Sequence, residues 1–149
     1  MKLRILGICL FLAFQGGAPA NAEDAAGIVK KVNGSVTVSR SALPLAATPG
    51  MAVFVADRIL TGADGSVGIT LRDDTLLSYG PNSAVVLDRF AFNPATHDGN
   101  LLVSLLKGSM VFVTGLIGKK TPEAVSVKLR NATIGIRGTE FAAEVEEEK

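Results

Sequence analysis

A repeated strand pattern constrains the fold of this chain more than any other feature. Short runs rich in β-branched residues alternate apolar and polar positions, as in residues 36–39, 67–72 and 125–130. A period of two places successive side chains on opposite faces, so one face of each strand packs on a core and the other meets water. Gly, Pro, Asn or Asp ends each run, as expected where strands stop at turns. The pattern predicts an all-β protein of many short strands.

Turn signals recur along the chain at intervals typical of strands rather than of alternating strands and helices. They are Asn33-Gly34, Pro49-Gly50, Asp64-Gly65, Asp73-Asp74, Gly80-Pro81-Asn82, Asp98-Gly99 and Lys107-Gly108. Residues 41–47 and 94–98 are expected to be irregular loops. The apolar parity changes at Arg130-Asn131, which requires a bulge or a turn. We therefore expect a twisted two-sheet sandwich or a short irregular β-helix (solenoid), with helix nearly absent.

The first 22 residues differ from the rest of the chain. Lys2 and Arg4 precede an apolar run, helix-breaking Gly and Pro follow it, and Ala20 and Ala22 are the small residues that a signal peptidase recognises. This pattern predicts a signal peptide cleaved after Ala22 and a periplasmic or secreted protein. The mature chain, residues 23–149, is expected to be one domain with a core at about 27–145.

Two other readings of this segment are weaker. A retained membrane anchor needs about 20 apolar residues, and this run is interrupted at Gln15. Lipidation at Cys9 is disfavoured because the bulky Ile8 stands where a small residue is expected. After cleavage no other apolar span remains, so no membrane span is expected in the mature protein.

The mature chain is electrically balanced and has no cysteine. Cleavage removes Lys2 and Arg4 from fifteen Lys and Arg and leaves all fourteen Asp and Glu, which gives a net charge of −1. Nucleic-acid binding usually shows as a basic excess, so no nucleic acid is expected as a partner. Cys9 leaves with the signal peptide, so stability must come from a packed core rather than from disulfides.

Side chains for catalysis or metal binding are scarce. His97 is the one histidine and is interpreted as an exposed loop residue beside Asp98-Gly99, and a zinc site would need several such ligands. The carboxylates that could act in catalysis are Asp57, Asp64, Asp73, Asp74 and Asp88. Several stand where turns favour Asp, and a glycosidase cleft would usually present more aromatic residues. We expect no catalytic residues, no cofactor and no metal.

Several motifs follow one another in order along the mature chain. They are Gly34–Val38, Pro49-Gly50, Asp57–Gly62 (Asp-Arg-Ile-Leu-Thr-Gly), Ser66–Leu76, Leu106–Met110 and Thr133–Phe141. This order resembles the FecR domain, the periplasmic sensory module of regulators that control extracytoplasmic sigma factors. The closing Arg-Gly-Thr-x-Phe, residues 137–141, is its most specific part. The family commonly has Asp-Gly where Asp73-Asp74 stands here.

The resemblance implies structural rather than catalytic roles for the motif residues. These are Gly34, Asp57, Thr61, Gly62, Gly108, Arg137, Gly138, Thr139 and Phe141. Asp57 is expected to accept hydrogen bonds from turn amides, and Gly138 to adopt a positive φ. Thr139 is expected to bond a nearby backbone group, and Phe141 to enter the core.

The resemblance implies a non-enzymatic binding or sensory module of the cell envelope with a protein partner. The chain looks like a free-standing FecR domain, because the cytoplasmic anti-sigma segment and the membrane helix of those regulators have no counterpart in it. Direct contact with a cytoplasmic sigma factor is therefore not expected. Two alternatives remain open: a polysaccharide- or peptidoglycan-binding module, and an enzyme that uses carboxylates.

Overall fold

The computed structural model describes residues 23–147, and strands make up more than half of the chain. The strands are β1 (Gly27–Asn33), β2 (Val36–Arg40), β3 (Leu43–Ala46), β4 (Ala52–Val53), β5 (Arg58–Thr61), β6 (Ser66–Leu71), β7 (Leu76–Tyr79), β8 (Ala84–Phe92), β9 (Gly99–Val113), β10 (Val125–Lys128), β11 (Thr133–Gly135) and β12 (Glu140–Val145). A short helix, α1 (Leu116–Lys120), and a 3₁₀ turn (Pro122–Ala124) connect β9 to β10. The expected signal peptide, residues 1–22, lies outside the described residues, so cleavage after Ala22 stays a prediction.

The strands form a single, strongly curled sheet with two halves. Half A has the order β4-β1-β6-β7-β9-β12, and half B has the order β3-β2-β5-β8-β9-β10-β11. Strand β9 belongs to both halves, because residues 99–107 pair with β8 and residues 110–113 pair with β7. The halves are therefore joined through one long strand.

The alternation read from the sequence decides which side chains are buried. Strand β6 buries Val67, Ile69 and Leu71 and leaves the residues between them half exposed, and β10 buries Val125 and Val127. Buried residues from both halves form one hydrophobic cluster. The prediction of an all-β fold is confirmed, and the core lies between the two halves of the curled sheet.

Gly108 bends β9 where it passes from one half to the other. Its φ is +88°, and the buried positions change there from Val103 and Leu105 to Met110 and Phe112. The prediction that a turn ends a strand at Lys107-Gly108 is therefore wrong, because β9 continues through residue 113. A residue with positive φ inside a strand changes its direction and its inward face without breaking the pairing.

The expected loop at residues 41–47 is also wrong in part, since Leu43–Ala46 forms β3, antiparallel to β2. Ser41 and Ala42 form the two-residue connection, with φ values of +49° and +64°. Hairpin turns of this kind favour Asn-Gly or Asp-Gly. The Ser-Ala pair carries no such signal, so the sequence alone predicts a loop at this position.

The turn predicted at Arg130-Asn131 is confirmed. The Leu129 N–H donates to the Ala132 carbonyl at 2.7 Å, and this turn separates β10 from β11. Strand β10 runs parallel to residues 101–104 of β9, and α1 makes the crossover that a parallel pair requires. Among residues 23–147, no helix has the length and apolar character needed to cross a membrane.

Candidate functional site

Asp57 is buried, and both of its carboxylate oxygens accept hydrogen bonds. Oδ1 accepts from Nε of Arg40 at 2.9 Å, and Oδ2 accepts from Nη2 of Arg40 at 2.7 Å and from the Phe54 N–H at 2.9 Å. Arg40 also donates to the Ala52 carbonyl at 3.0 Å, and its guanidinium lies 4.4 Å from the centre of the Phe54 ring. The hydrogen bond with Asp57 raises the pKa of Arg40, which keeps the guanidinium charged.

An open cleft of about 550 Å³ lies beside this ion pair, lined in part by Arg40, Phe54 and Asp57. A general acid or base must place its carboxylate within hydrogen-bond reach of the proton it transfers. The Asp57 oxygens are instead directed at Arg40 and the Phe54 amide, in the type of amide contact expected from the sequence. The geometry makes Asp57 a link between β2 and the segment that precedes β5.

Thr61 belongs to a cluster of hydroxyl groups where the two halves meet. Its Oγ1 donates to the Gly80 carbonyl at 2.6 Å and accepts from the Ser83 N–H at 2.8 Å. The Ser83 hydroxyl donates to the Gly80 carbonyl at 2.8 Å and accepts from the Ser109 N–H at 3.0 Å. These bonds satisfy backbone groups beside the bend at Gly108, where the regular ladder is interrupted.

Asp73 ties the β6–β7 turn to the start of α1. Its Oδ1 accepts from the Thr75 N–H at 3.1 Å, and its Oδ2 accepts from the Thr75 hydroxyl at 2.8 Å and the Ile117 N–H at 3.4 Å. The Asp73 carbonyl accepts from the Leu116 N–H at 2.7 Å, and Oγ1 of Thr75 accepts from the Gly115 N–H at 3.2 Å. A carboxylate here satisfies amide donors that the first turn of a helix leaves unpaired.

The motif that closes the chain docks onto the end of β9. The Thr114 hydroxyl donates to the Gly138 carbonyl at 2.8 Å, and the Thr114 N–H donates to the Thr139 carbonyl at 2.8 Å. Gly138 has the positive φ expected, +139°, and Phe141 packs beside Phe112 with ring centres 6.1 Å apart. Thr139 thus contributes its backbone carbonyl to this contact, and its side chain is exposed, as is that of Arg137.

Gly34 and Gly62 bring two turns into contact. Gly34 has a φ of +61°, and a Cβ there would lie 2.3 Å from the Asp64 carbonyl oxygen. The Gly62 N–H donates to the Ser35 carbonyl at 2.9 Å. The β1–β2 turn therefore lies directly against the β5–β6 turn, with no room for a side chain at Gly34.

The other carboxylates and His97 are dispersed. Oδ1 of Asp64 accepts from the Ser35 N–H, Asp74 is an exposed turn residue with a φ of +65°, and Asp88 accepts from the Ser104 hydroxyl at 2.5 Å. His97 stacks on Phe92 at 6.2 Å. Within residues 23–147, no group of three or more His, Cys, Asp or Glu could hold a metal ion.

The outward side of half A carries few charged residues. The outward residues of its central strands β6, β7 and β9 include no charged side chain; they are Ser66, Gly68, Thr70, Leu76, Ser78, Ser109, Val111 and Val113. We call this surface, with the flanking outward residues of β1 and β12, the outer face. It holds three of the six large hydrophobic side chains that are exposed in the described chain: Ile28, Leu76 and Val111. The outward side of half B differs, because it carries Arg58, Asp88 and Lys128.

The fold and these contacts define a curled β-sheet domain in which motif residues join turns and strands. A family model described as FecR protein matches residues 57–149, more than half of the chain, and the chain belongs to this family. The family consists of signalling and sensory domains. The match begins at Asp57, so the resemblances of Gly34–Val38 and Pro49-Gly50 lie outside the matched residues and stay predictions. No curated protein and no solved structure matches the chain.

Sequence reasoning missed the partners of the motif residues. Arg40 is 17 positions from Asp57, and nothing in its neighbourhood marks it. Ser83 likewise gave no signal. Thr75 could have been found, since an Asp two residues before a hydroxyl residue is the spacing of a local side-chain turn.

Proposed function

We propose that this protein is an exported, non-enzymatic binding and sensory module of the cell envelope, and that it binds a protein partner through the outer face. Family membership supports a sensory role. The outer face carries the proposal, because its central strands bear no charged outward side chain and Ile28, Leu76 and Val111 are exposed on it, and a grouped apolar surface of this kind marks interaction sites. The signal-peptide pattern of residues 1–22 supports export.

An enzymatic role is less consistent with the geometry. Asp57 and Asp73, the buried carboxylates among the candidates, are directed at fixed donors of the fold. Asp64, Asp74 and Asp88 lie at turns or a bulge. A pair of carboxylates facing one reacting atom is therefore not what these residues form.

A polysaccharide or peptidoglycan partner is the second candidate. Sugar-binding sites usually offer aromatic rings for stacking, but Tyr79, Phe90 and Phe112 are buried, and Phe54 and Phe92 contact Arg40 and His97. The candidate rests on the open cleft beside Arg40. Sedimentation of the purified protein with isolated cell wall tests it directly, and retention that is lost in Phe54→Ala but kept in Leu76→Asp would favour sugar binding over the protein partner.

The protein-binding proposal is tested by photo-cross-linking in cells. A photoreactive amino acid at position 76, on the outer face, is compared with one at position 43, an exposed leucine on β3 of half B. We expect a protein adduct from position 76 and none from position 43. Equal labelling from both positions, or none from position 76, contradicts the proposal. Fractionation of the same cells tests export.

A further inference from the structure

The outer face has a regular geometry with β7 at its centre. Five neighbouring strands, in the order β12-β9-β7-β6-β1, place outward residues in cross-strand rows. One row contains Ile28, Thr70, Leu76, Val113 and Glu140, and the next contains Lys31, Gly68, Ser78, Val111 and Ala142. Each row contains one charged residue, at one end: Glu140 on β12 in the first row and Lys31 on β1 in the second.

The two ends of the outer face carry opposite charges. Lys31 is exposed on β1. A Cβ placed on Gly68 of β6 would lie 3.8 Å from the Cβ of Lys31, so the two residues are on the same face of the sheet. Glu140 and Glu144 are exposed on β12, opposite Val113 and Ser109. Four strand spacings of about 4.8 Å separate β1 from β12, which gives roughly 19 Å between the basic and acidic ends.

We infer that the partner of the outer face is a second copy of this chain, packed face to face about a two-fold axis that runs along β7. Such an axis reverses the order of the strands, so β1 of each copy lies over β12 of the other and Lys31 faces the segment between Glu140 and Glu144. Leu76 meets Leu76 of the second copy near the axis. A two-fold axis perpendicular to the strands would instead place lysine over lysine. The charges therefore select one arrangement.

The area of the outer face limits how stable this dimer can be. Five strands by about five residues give a footprint of roughly 400 Å², below the roughly 800 Å² per partner of a standard interface. The dimer is therefore expected to be weak and transient, so its population depends on protein concentration. The inference rests on the proposed use of the outer face and adds the identity of its partner.

The test is sedimentation of the purified protein over a wide concentration range. We expect a monomer–dimer equilibrium that Leu76→Asp and Val111→Asp each weaken at least tenfold. The matched control is Leu43→Asp, at an exposed leucine outside the outer face, and it should leave the equilibrium unchanged. Circular dichroism confirms that each variant is folded, since all three side chains are exposed in the monomer.

A charge exchange tests the orientation. Lys31→Glu should weaken the dimer, and adding Glu144→Lys should restore it, because the opposite charges then meet again. A monomer at every concentration, a dimer that Leu76→Asp leaves intact, or a double variant no better than Lys31→Glu would overturn the inference. If position 76 cross-links to another envelope protein while the purified protein is monomeric, the inference fails and the proposed function stands. If position 76 cross-links to nothing, both fail.

Discussion

The bend at Gly108 should make this residue far less replaceable than Gly50, a glycine of nearly the same backbone conformation. A Cβ at Gly108 would lie 2.4 Å from the Cα of Ser83 and 2.2 Å from its hydroxyl oxygen, so backbone must move. Gly50 has almost the same φ, +89° against +88°, but no atom lies within 4 Å of the Cβ position. The two glycines therefore separate the cost of backbone conformation from the cost of the close approach.

Gly50→Ala should lower the free energy of unfolding by about 1 to 2 kcal/mol, the conformational cost of a left-handed residue with a Cβ. Gly108→Ala adds the overpacking cost of about 1 to 3 kcal/mol and disturbs the bonds of the Ser83 hydroxyl. We expect a total loss of about 3 to 5 kcal/mol for Gly108→Ala, a large share of the stability of a typical domain.

Urea unfolding followed by far-ultraviolet circular dichroism measures both variants, since the chain has no tryptophan and a single tyrosine. The difference between the two free energies isolates the contact with Ser83. A difference below about 1 kcal/mol would refute the reasoning, because it would mean that Gly108 is needed only for its φ. In that case β9 would have room at the point where the halves meet.

Three further predictions follow from the buried and charged groups. Burial raises the pKa of Tyr79, so tyrosinate absorbance should appear only as the protein unfolds in alkali. Because the folded state favours the neutral phenol, stability should fall as the pH rises above about 10. Asp57→Asn should cost about 2 to 4 kcal/mol because it removes the charged partner of Arg40, whereas Asp64→Asn, at an exposed turn, should cost less than about 1 kcal/mol. The hydrogen bond from Lys120 lowers the pKa of Asp98 in the folded protein. The ionised Asp98 therefore stabilises the fold at pH values above its ordinary pKa. This stabilisation is lost as the pH falls through the lowered pKa of Asp98. In Lys120→Gln, an NMR titration should show the pKa of Asp98 moving back up.

Each of these predictions has a distinct contrary result. Reversible ionisation of the tyrosine in folded protein would show that Tyr79 is open to water. Equal losses of stability in Asp57→Asn and Asp64→Asn would mean that the ion pair with Arg40 adds nothing to the hydrogen bond between Asp57 and the Phe54 amide. An unchanged pKa of Asp98 in Lys120→Gln would mean that the ion pair with Lys120, 2.6 Å in the structure, does not persist in solution.

The strands could be predicted from the sequence because alternation and turn preferences depend only on residues close together in the chain. The alternation in residues 67–72 states which side chains share a face, and the structure buries Val67, Ile69 and Leu71 accordingly. Asp73-Asp74 and Asn33-Gly34 were predicted as turns on the conformations these residues favour, and both are turns. Such preferences act within a few residues and need no partner strand.

Only part of the candidate site could be predicted, because the partners of its motif residues lie far away in the sequence. Asp57 belongs to a sequence motif, but Arg40 lies on β2 and reaches Asp57 only because β2 pairs with β5. Ser83 and Ser109 meet only because β9 bends at Gly108. Hydrogen bonds between distant segments depend on register, and register is decided by how the whole core packs.

The sequence by itself determined that this chain alternates between strands and turns, that its motif residues follow the FecR order, and that side chains for catalysis are scarce. Only the tertiary structure decided that β9 joins two halves, that β10 runs parallel to it, and that Leu76 lies on uncharged central strands between the basic strand β1 and the acidic strand β12. A period of two assigns each residue to a face of its own strand, but it says nothing about which strand lies alongside. Which strands pair is fixed by burial of their apolar faces in a shared core, and only this pairing brings the residues of the outer face together.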